Sequence, residues 1–211
     1  MSILNKFSAD YNGIRLAVCI PARDQMHTVT TFCLYNLSNV LARLGIENKL
    51  FLSHGTLIIN QRHELVIAAQ EWEATHIMFI DSDMEFTPDC VIKLLDRNLP
   101  VVAAAYSKRV EPFVVTAWHK IYDWNSHVQE FDQELITCEA VAMGFMLIDV
   151  TVFDELELPW FVIGWHGQYT GEDIEFCRML LNKGIDIHLD LSVTKQLGHL
   201  GTKNFKVDPD T

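Results

Sequence analysis

"MFIDSDMEF", residues 78–86, is the stretch that decides the reading. The apolar run Ile77, Met78, Phe79 and Ile80 stops at Asp81, Ser82 and Asp83, the pattern of a buried strand that ends in two carboxylates. Side chains at i and i+2 of a strand share a face, so extended chain would aim Asp81 and Asp83 to the same side. Carboxylates that close repel unless a proton or a cation lies between them. A hard divalent ion with oxygen ligands, Mg²⁺ or Mn²⁺, resolves the conflict and often brings phosphates with it. A turn, or a cap on the loop before Thr87, would account for the same tripeptide. The rest of the chain has to decide.

Outward from this stretch the pattern alternates. Short apolar runs at 15–21, 49–53, 76–80 and 100–106 read as strands. Helical spacing between them predicts helices over 26–44, closed by Gly45, over 58–74, and from Thr87 as N-cap with Pro88 in the first turn. Strands alternating with helices on short links predict an α/β fold with a mostly parallel central sheet covered on both faces. The second half changes character. Residues 113–132 look extended around a turn at 123–126, a further apolar run covers 136–150, and a short helix follows from Thr151. The polar-aromatic loop "WFVIGWHGQYTGED" (160–173) leads into a helix over 172–183 ended by Gly184. This half supplies a small antiparallel portion. No repeat or linker divides the 211 residues, so one domain over 1–211 is expected.

Composition narrows the function classes. The formal net charge of −12 opposes non-specific binding to nucleic acid or anionic membranes, although it leaves room for a local basic groove. No apolar stretch is long enough to span a bilayer, and residues 1–10 lack the features of a signal peptide. Five scattered cysteines without a C-x-x-C pair suit neither a disulfide framework nor a zinc site, and are expected as reduced core residues of a cytoplasmic protein.

Two further places carry candidate chemistry. Glu172 and Asp173 open a helix, where acids compensate the dipole and their pKa tends to fall rather than rise. Trp160, Trp165 and His166 could desolvate Asp173, and Trp165 could stack on a ligand ring; packing of the loop explains the same aromatics. His199 sits in "QLGHLG", between glycines that let backbone approach a ligand.

In this order, "CIPARD", "NQRHELVIAA", "FIDSDMEFTPDCVIKLL", "VVAAAYSKR", "AVAMGFMLIDVTVFDEL", "TGEDIEFCRMLLNKG" and "LGHLG" resemble glycosyltransferases of the GT-A fold, similar to family 2 and its small phage-encoded relatives. The resemblance covers roughly residues 15 to 201. It implies a nucleotide-binding half over about 15–110 and an acceptor and catalytic half over about 111–205. It implies that Asp83, with His199, holds Mn²⁺ or Mg²⁺ on the diphosphate of a nucleoside-diphosphate sugar, UDP-sugar foremost, that Asp81 contacts the ribose or the metal, and that Ser82 lies with Asp81 on the nucleotide-sugar. The D-x-D motif is Asp81-Ser82-Asp83. Pro21, Ala22 and Arg23, in the loop after the first strand, would face the nucleoside; Arg62 would contact the nucleotide, and Gly144 would let backbone lie close to the donor sugar. Asp173 would be the general base of an inverting transfer, with Glu172 beside it. "LFLSHGT" (51–56) lacks the acid often found after the second strand, which leaves the base open.

A nucleotidyltransferase acting on sugar phosphates would normally show a glycine-rich loop after the first strand, and "CIPARDQMH" has no glycine. A non-catalytic nucleotide-sugar-binding module would keep Asp81 and Asp83 but would not need Asp173. The acceptor stays open between a glycan, a glycolipid and a phage-type modified DNA base. Trp165, His166 and Lys108 are placed on its side, and Lys108, Arg109 and Lys120 could form a basic rim for nucleic acid.

Overall fold

The computed structural model describes residues 10–201 and the backbone of 204–206. The expected domain span of 1–211, and the N-terminal stretch read for a leader, therefore reach outside the described residues. The first half contains β1 (Arg15–Ala22), α1 (Thr28–Arg43), β2 (Glu47–His54), α2 (Ile58–Glu71), β3 (His76–Ile80), β4 (Met84–Glu85), α3 (Pro88–Asp96) and β5 (Val101–Ala103). Next come β6 (Ala117–Trp118), β7 (Leu135–Cys138), β8 (Ala140–Val141), β9 (Phe145–Asp149), α4 (Val152–Glu155), β10 (Gly164–Trp165) and β11 (Tyr169–Thr170). The chain continues through α5 (Glu172–Asn182), β12 (Ile187–Asp190), α6 (Leu191–Thr194), β13 (Gly198–Leu200) and β14 (Asn204–Lys206).

Seven strands form the central sheet in the order β2-β1-β3-β9-β5-β12-β7. β2, β1, β3, β5 and β12 run one way; β9 and β7 oppose them. The mostly parallel sheet is as expected, but its continuation is not. β9 inserts antiparallel between β3 and β5, where the alternation pattern put two parallel strands side by side. Phe145, Met146, Leu147 and Ile148 are all buried. A run apolar on both faces reveals burial but not direction.

β3 shows how the sheet divides the core. Ile77 and Phe79 pack with Leu65 and Val66 of α2 and Phe176 and Leu180 of α5. Met78 and Ile80 face the other way, toward Leu37 and Leu41 of α1 and Val91 and Leu94 of α3. Gly45 and Gly184 end α1 and α5 as expected. Each has a positive φ (74° and 72°), and the N–H groups around each return to the last-turn carbonyls, Gly45 to Ala42 and Gly184 to Leu181. Thr87 precedes α3 but its hydroxyl caps no backbone N–H; it lies 3.6 Å from Cys90 Sγ instead. All five cysteines are buried and free. Among the described residues, no helix is long and apolar enough to cross a membrane.

Candidate active site

Asp81 and Tyr106, which follow β3 and β5, meet the N-terminus of α5 through Arg62, at the carboxyl end of the parallel strands where ligands bind in an open α/β sheet. β3 stops at Ile80, so Asp81, Ser82 and Asp83 lie in a turn and not on strand. The same-face expectation from strand alternation therefore does not apply. The turn is pinned from three sides: His27 N–H donates to Ser82 O at 2.9 Å, Met84 N–H to Asp81 O at 3.3 Å, and Leu200 N–H to Asp83 O at 2.8 Å.

The two carboxylates look to different partners. Asp81 accepts from Arg62 Nη2 at 3.2 Å and from the Tyr106 hydroxyl at 3.3 Å. Asp83 pairs with the Arg109 guanidinium through one oxygen, and its other oxygen faces His199 Nε2 at 3.7 Å. Two arginines thus relieve a repulsion that, read from the tripeptide, asked for a metal.

The residues left around Asp83 still suit one. β13 pairs antiparallel with β4 and so delivers His199 to this end of the sheet. His199 Nδ1–H donates to Ser107 O at 2.9 Å, because a carbonyl can only accept. Burial lowers the pKa of the imidazole. A neutral ring with its proton on Nδ1 leaves the Nε2 lone pair directed toward Asp83, the second-shell arrangement of a metal-ligating histidine. Of the three expected ligands the structure brings Asp83 and His199 together, while Asp81 is turned to Arg62. No group of three His, Cys, Asp or Glu side chains is gathered as a metal site among the described residues.

Arg62 is the most buried charge here, with 2% exposure. It was expected on the nucleotide. The structure puts it inside, with its Nε bonding Glu172 Oε1 at 3.0 Å, its Nη2 on Asp81, and its guanidinium 5.2 Å from the centre of the Phe79 ring. Tyr106 is a member that the sequence reading did not single out. Its hydroxyl and the Asp81 carboxylate press against Gly144, where a Cβ would come within 2.5 Å of both. Gly144 therefore serves this close approach.

Glu172 is buried and committed to Arg62, whereas Asp173, one position on, is largely covered but keeps an edge open to a cavity. The Asp173 carboxyl is pushed up to about 6, first by burial and then by the Glu172 charge, with Asp81 adding to them. These outweigh Arg62 and the Ile174 N–H, which pull the other way. The dipole expectation of a lowered pKa is overturned by burial among carboxylates.

The aromatics expected to cover Asp173 are elsewhere. Trp160 is a core residue, stacked on His63 with ring centres 5.3 Å apart. His166 stacks on Tyr122 at 4.0 Å and bonds Glu175 at 2.9 Å. Trp165 is exposed on β10 and meets Tyr169 of β11 edge-on. Pro21 and Ala22 are the last residues of β1, paired with Ser53 and His54, so the open loop begins at Arg23. A cavity of about 410 Å³ opens beside Asp173, walled by Trp118, Trp124 and Tyr169 with Lys108 at its edge. A larger apolar cavity of about 500 Å³, between α1 and β2, includes none of these carboxylates. A site needs convergent polar chemistry as well as volume, which favours the smaller cavity.

No protein-family model and no curated protein matches the chain. Solved structures do. A crystal structure of a protein from STIV aligns over 93% of this chain and 87% of its own, with a TM-score of 0.60 at 16% identity. A mutant Drosophila beta-1,4-galactosyltransferase 7, in complex with manganese, UDP-Gal and xylobiose, aligns over 92% of this chain and 76% of its own, with a TM-score of 0.56 at 13% identity. The chain has a GT-A-like fold.

Proposed function

We propose that the protein is a glycosyltransferase that moves a sugar from a nucleoside-diphosphate sugar to an acceptor hydroxyl, with inversion and with help from a divalent metal. The observation that carries this reading is the Arg62 bridge, which holds Asp81 of the D-x-D turn and Glu172, the neighbour of Asp173, on one guanidinium. Donor-side carboxylates and a candidate base thereby belong to one site. The galactosyltransferase of like fold binds manganese and UDP-Gal, which favours UDP-sugar as donor and Mn²⁺ as metal.

In this reading Asp83 and His199 would hold the metal, which would take the place of Arg109 on Asp83 and, when bound, supply positive charge for the diphosphate. Arg23, on the exposed loop after β1, faces the nucleoside, with Pro21 and Ala22 shaping the strand end behind it. Gly144 and Ser82 leave room for the donor beside Asp81. Asp173 takes the proton of the acceptor hydroxyl as that oxygen bonds the anomeric carbon. The bond from that carbon to the diphosphate oxygen breaks, and its electron pair leaves with the nucleotide. A carboxyl poised near 6 is mostly ionised at neutral pH yet more basic than an ordinary aspartate, which suits this task. Glu172 is the positioning partner of Asp173. Trp165 and Lys108 lie toward the acceptor, and His166 fixes the loop. The buried free cysteines suit a reducing compartment such as the cytoplasm.

Screening UDP-, GDP- and dTDP-sugars for metal-dependent hydrolysis tests the reading without a known acceptor. Release of nucleoside diphosphate with Mn²⁺, lost in EDTA, supports it. Pyrophosphate release from a nucleoside triphosphate and a sugar phosphate would replace it with nucleotidyl transfer. Binding without turnover in the presence of acceptors would replace it with a binding module.

A further inference from the structure

The cavity beside Asp173 has a chemical character that bears on the open question of the acceptor. Trp118 and Trp124 meet edge to face, with ring centres 5.3 Å apart at 86°. Tyr169 of the β10–β11 hairpin, 78% exposed, lines the same cavity, and Trp165, 64% exposed, meets that ring edge-on. Aromatic faces of this size left to solvent are costly unless something covers them.

The platform is fastened from below. Glu175, 2% exposed, accepts on Oε1 from Thr170 at 2.5 Å, His166 at 2.9 Å and Tyr122 at 3.3 Å, and on Oε2 from Arg178 at 2.9 Å. Gly164 passes so close that a Cβ there would collide with the Glu175 carboxylate. One buried carboxylate therefore ties the hairpin to the Tyr122 loop, so the aromatic walls are preorganised.

The charges decide between ligand classes. Of Lys108, Arg109 and Lys120, the cations that would form a basic rim, Lys108 alone lines this cavity. Lys108 Nζ lies 5.2 Å from the centre of the Trp118 ring, Arg109 pairs with Asp83, and Lys120 bonds Glu139 at 2.5 Å. The Asp173 carboxylate faces the cavity itself. A nucleic-acid strand would bring its phosphates to a wall where a single lysine stands against the Asp173 carboxylate, on a protein of net charge −12. An uncharged ring with hydroxyls meets no such penalty, and the volume of about 410 Å³ lies in the small-ligand range.

We infer that the acceptor is a neutral saccharide, seated between Trp124 and Tyr169 with a hydroxyl directed at Asp173. This rests on the glycosyl-transfer reading above. The test is binding of an array of neutral mono- to tetrasaccharides, and of a single-stranded oligodeoxynucleotide, to the protein with UDP and Mn²⁺ present. At least one saccharide binds, and Tyr169→Ala and Trp124→Ala each weaken it by about tenfold or more while UDP affinity stays within about twofold. Tyr169 is exposed enough that its replacement leaves folding intact, which a thermal melt checks. Binding of the oligonucleotide in place of saccharides, or saccharide affinity unchanged in both variants, overturns the proposal, as does UDP binding with no saccharide bound. Failure to bind UDP would instead remove the transferase reading on which it rests.

Discussion

Arg62 and Glu172 lie 110 positions apart in the chain and are joined by a hydrogen bond of 3.0 Å from Nε to Oε1. The bond ties α2 to the first turn of α5, and the same guanidinium reaches Asp81 at the end of β3. Arg62→Met should lower stability by about 3–5 kcal/mol, because it strands two carboxylates beside each other. Urea unfolding at pH 7 measures this. Glu172→Gln in the same background should recover part of the loss; no recovery would mean that packing against Phe79 was the larger effect.

Asp173 has a raised pKa, and the sign of its effect follows. Between the ordinary aspartate value of 3.8 and about 6, the folded protein holds a proton that the unfolded chain has released. The Asp173 contribution to stability therefore falls as pH rises through that window and stays unfavourable above it. Asp173→Asn should raise the melting temperature at pH 7.5 and depress transfer by about 10²-fold or more. In the unaltered enzyme kcat/KM should climb through pH 6. A stability loss together with near-normal turnover would mark Asp173 as a dipole compensator.

Gly144→Ala tests the contact between the Gly144 backbone and Asp81. The added methyl would meet Asp81 Oδ2 and Tyr106 Oη at 2.5 Å, so one of them must move. Overpacking of this kind costs about 1–3 kcal/mol. Donor affinity should fall by about tenfold or more if Asp81 is the group displaced. Unchanged UDP affinity in a folded variant would remove Gly144 from the donor side.

The first half of the fold was legible because its elements are strongly periodic and punctuated by Gly45 and Thr87-Pro88. The central position of β9 was not. Residues 145–149 read as apolar chain, and nothing local tells a strand which neighbours it will have. The site was legible as residue types in order, and Asp81, Asp83, Glu172, Asp173 and His199 do gather at one end of the sheet. Their pairings were hidden. Arg62 was expected on the nucleotide, and only the fold shows α2 carrying it against Phe79 and between Asp81 and Glu172; the helix dipole at Asp173 gave no hint that burial beside Glu172 would prevail. Trp118 and Trp124 were overlooked because β6 is only two residues long and the chain around Trp124 is irregular, so no period marks a face.

In the proposed reading Asp83 and His199 hold a metal on which nucleotide binding depends. Isothermal calorimetry of UDP with the unaltered protein, in MnCl₂ and in EDTA, tests it most directly, with Asp83→Ala and Ser82→Ala as companions. Affinity should appear with Mn²⁺, vanish in EDTA and in Asp83→Ala, and persist in Ser82→Ala. Equal UDP affinity in MnCl₂ and EDTA would contradict the account.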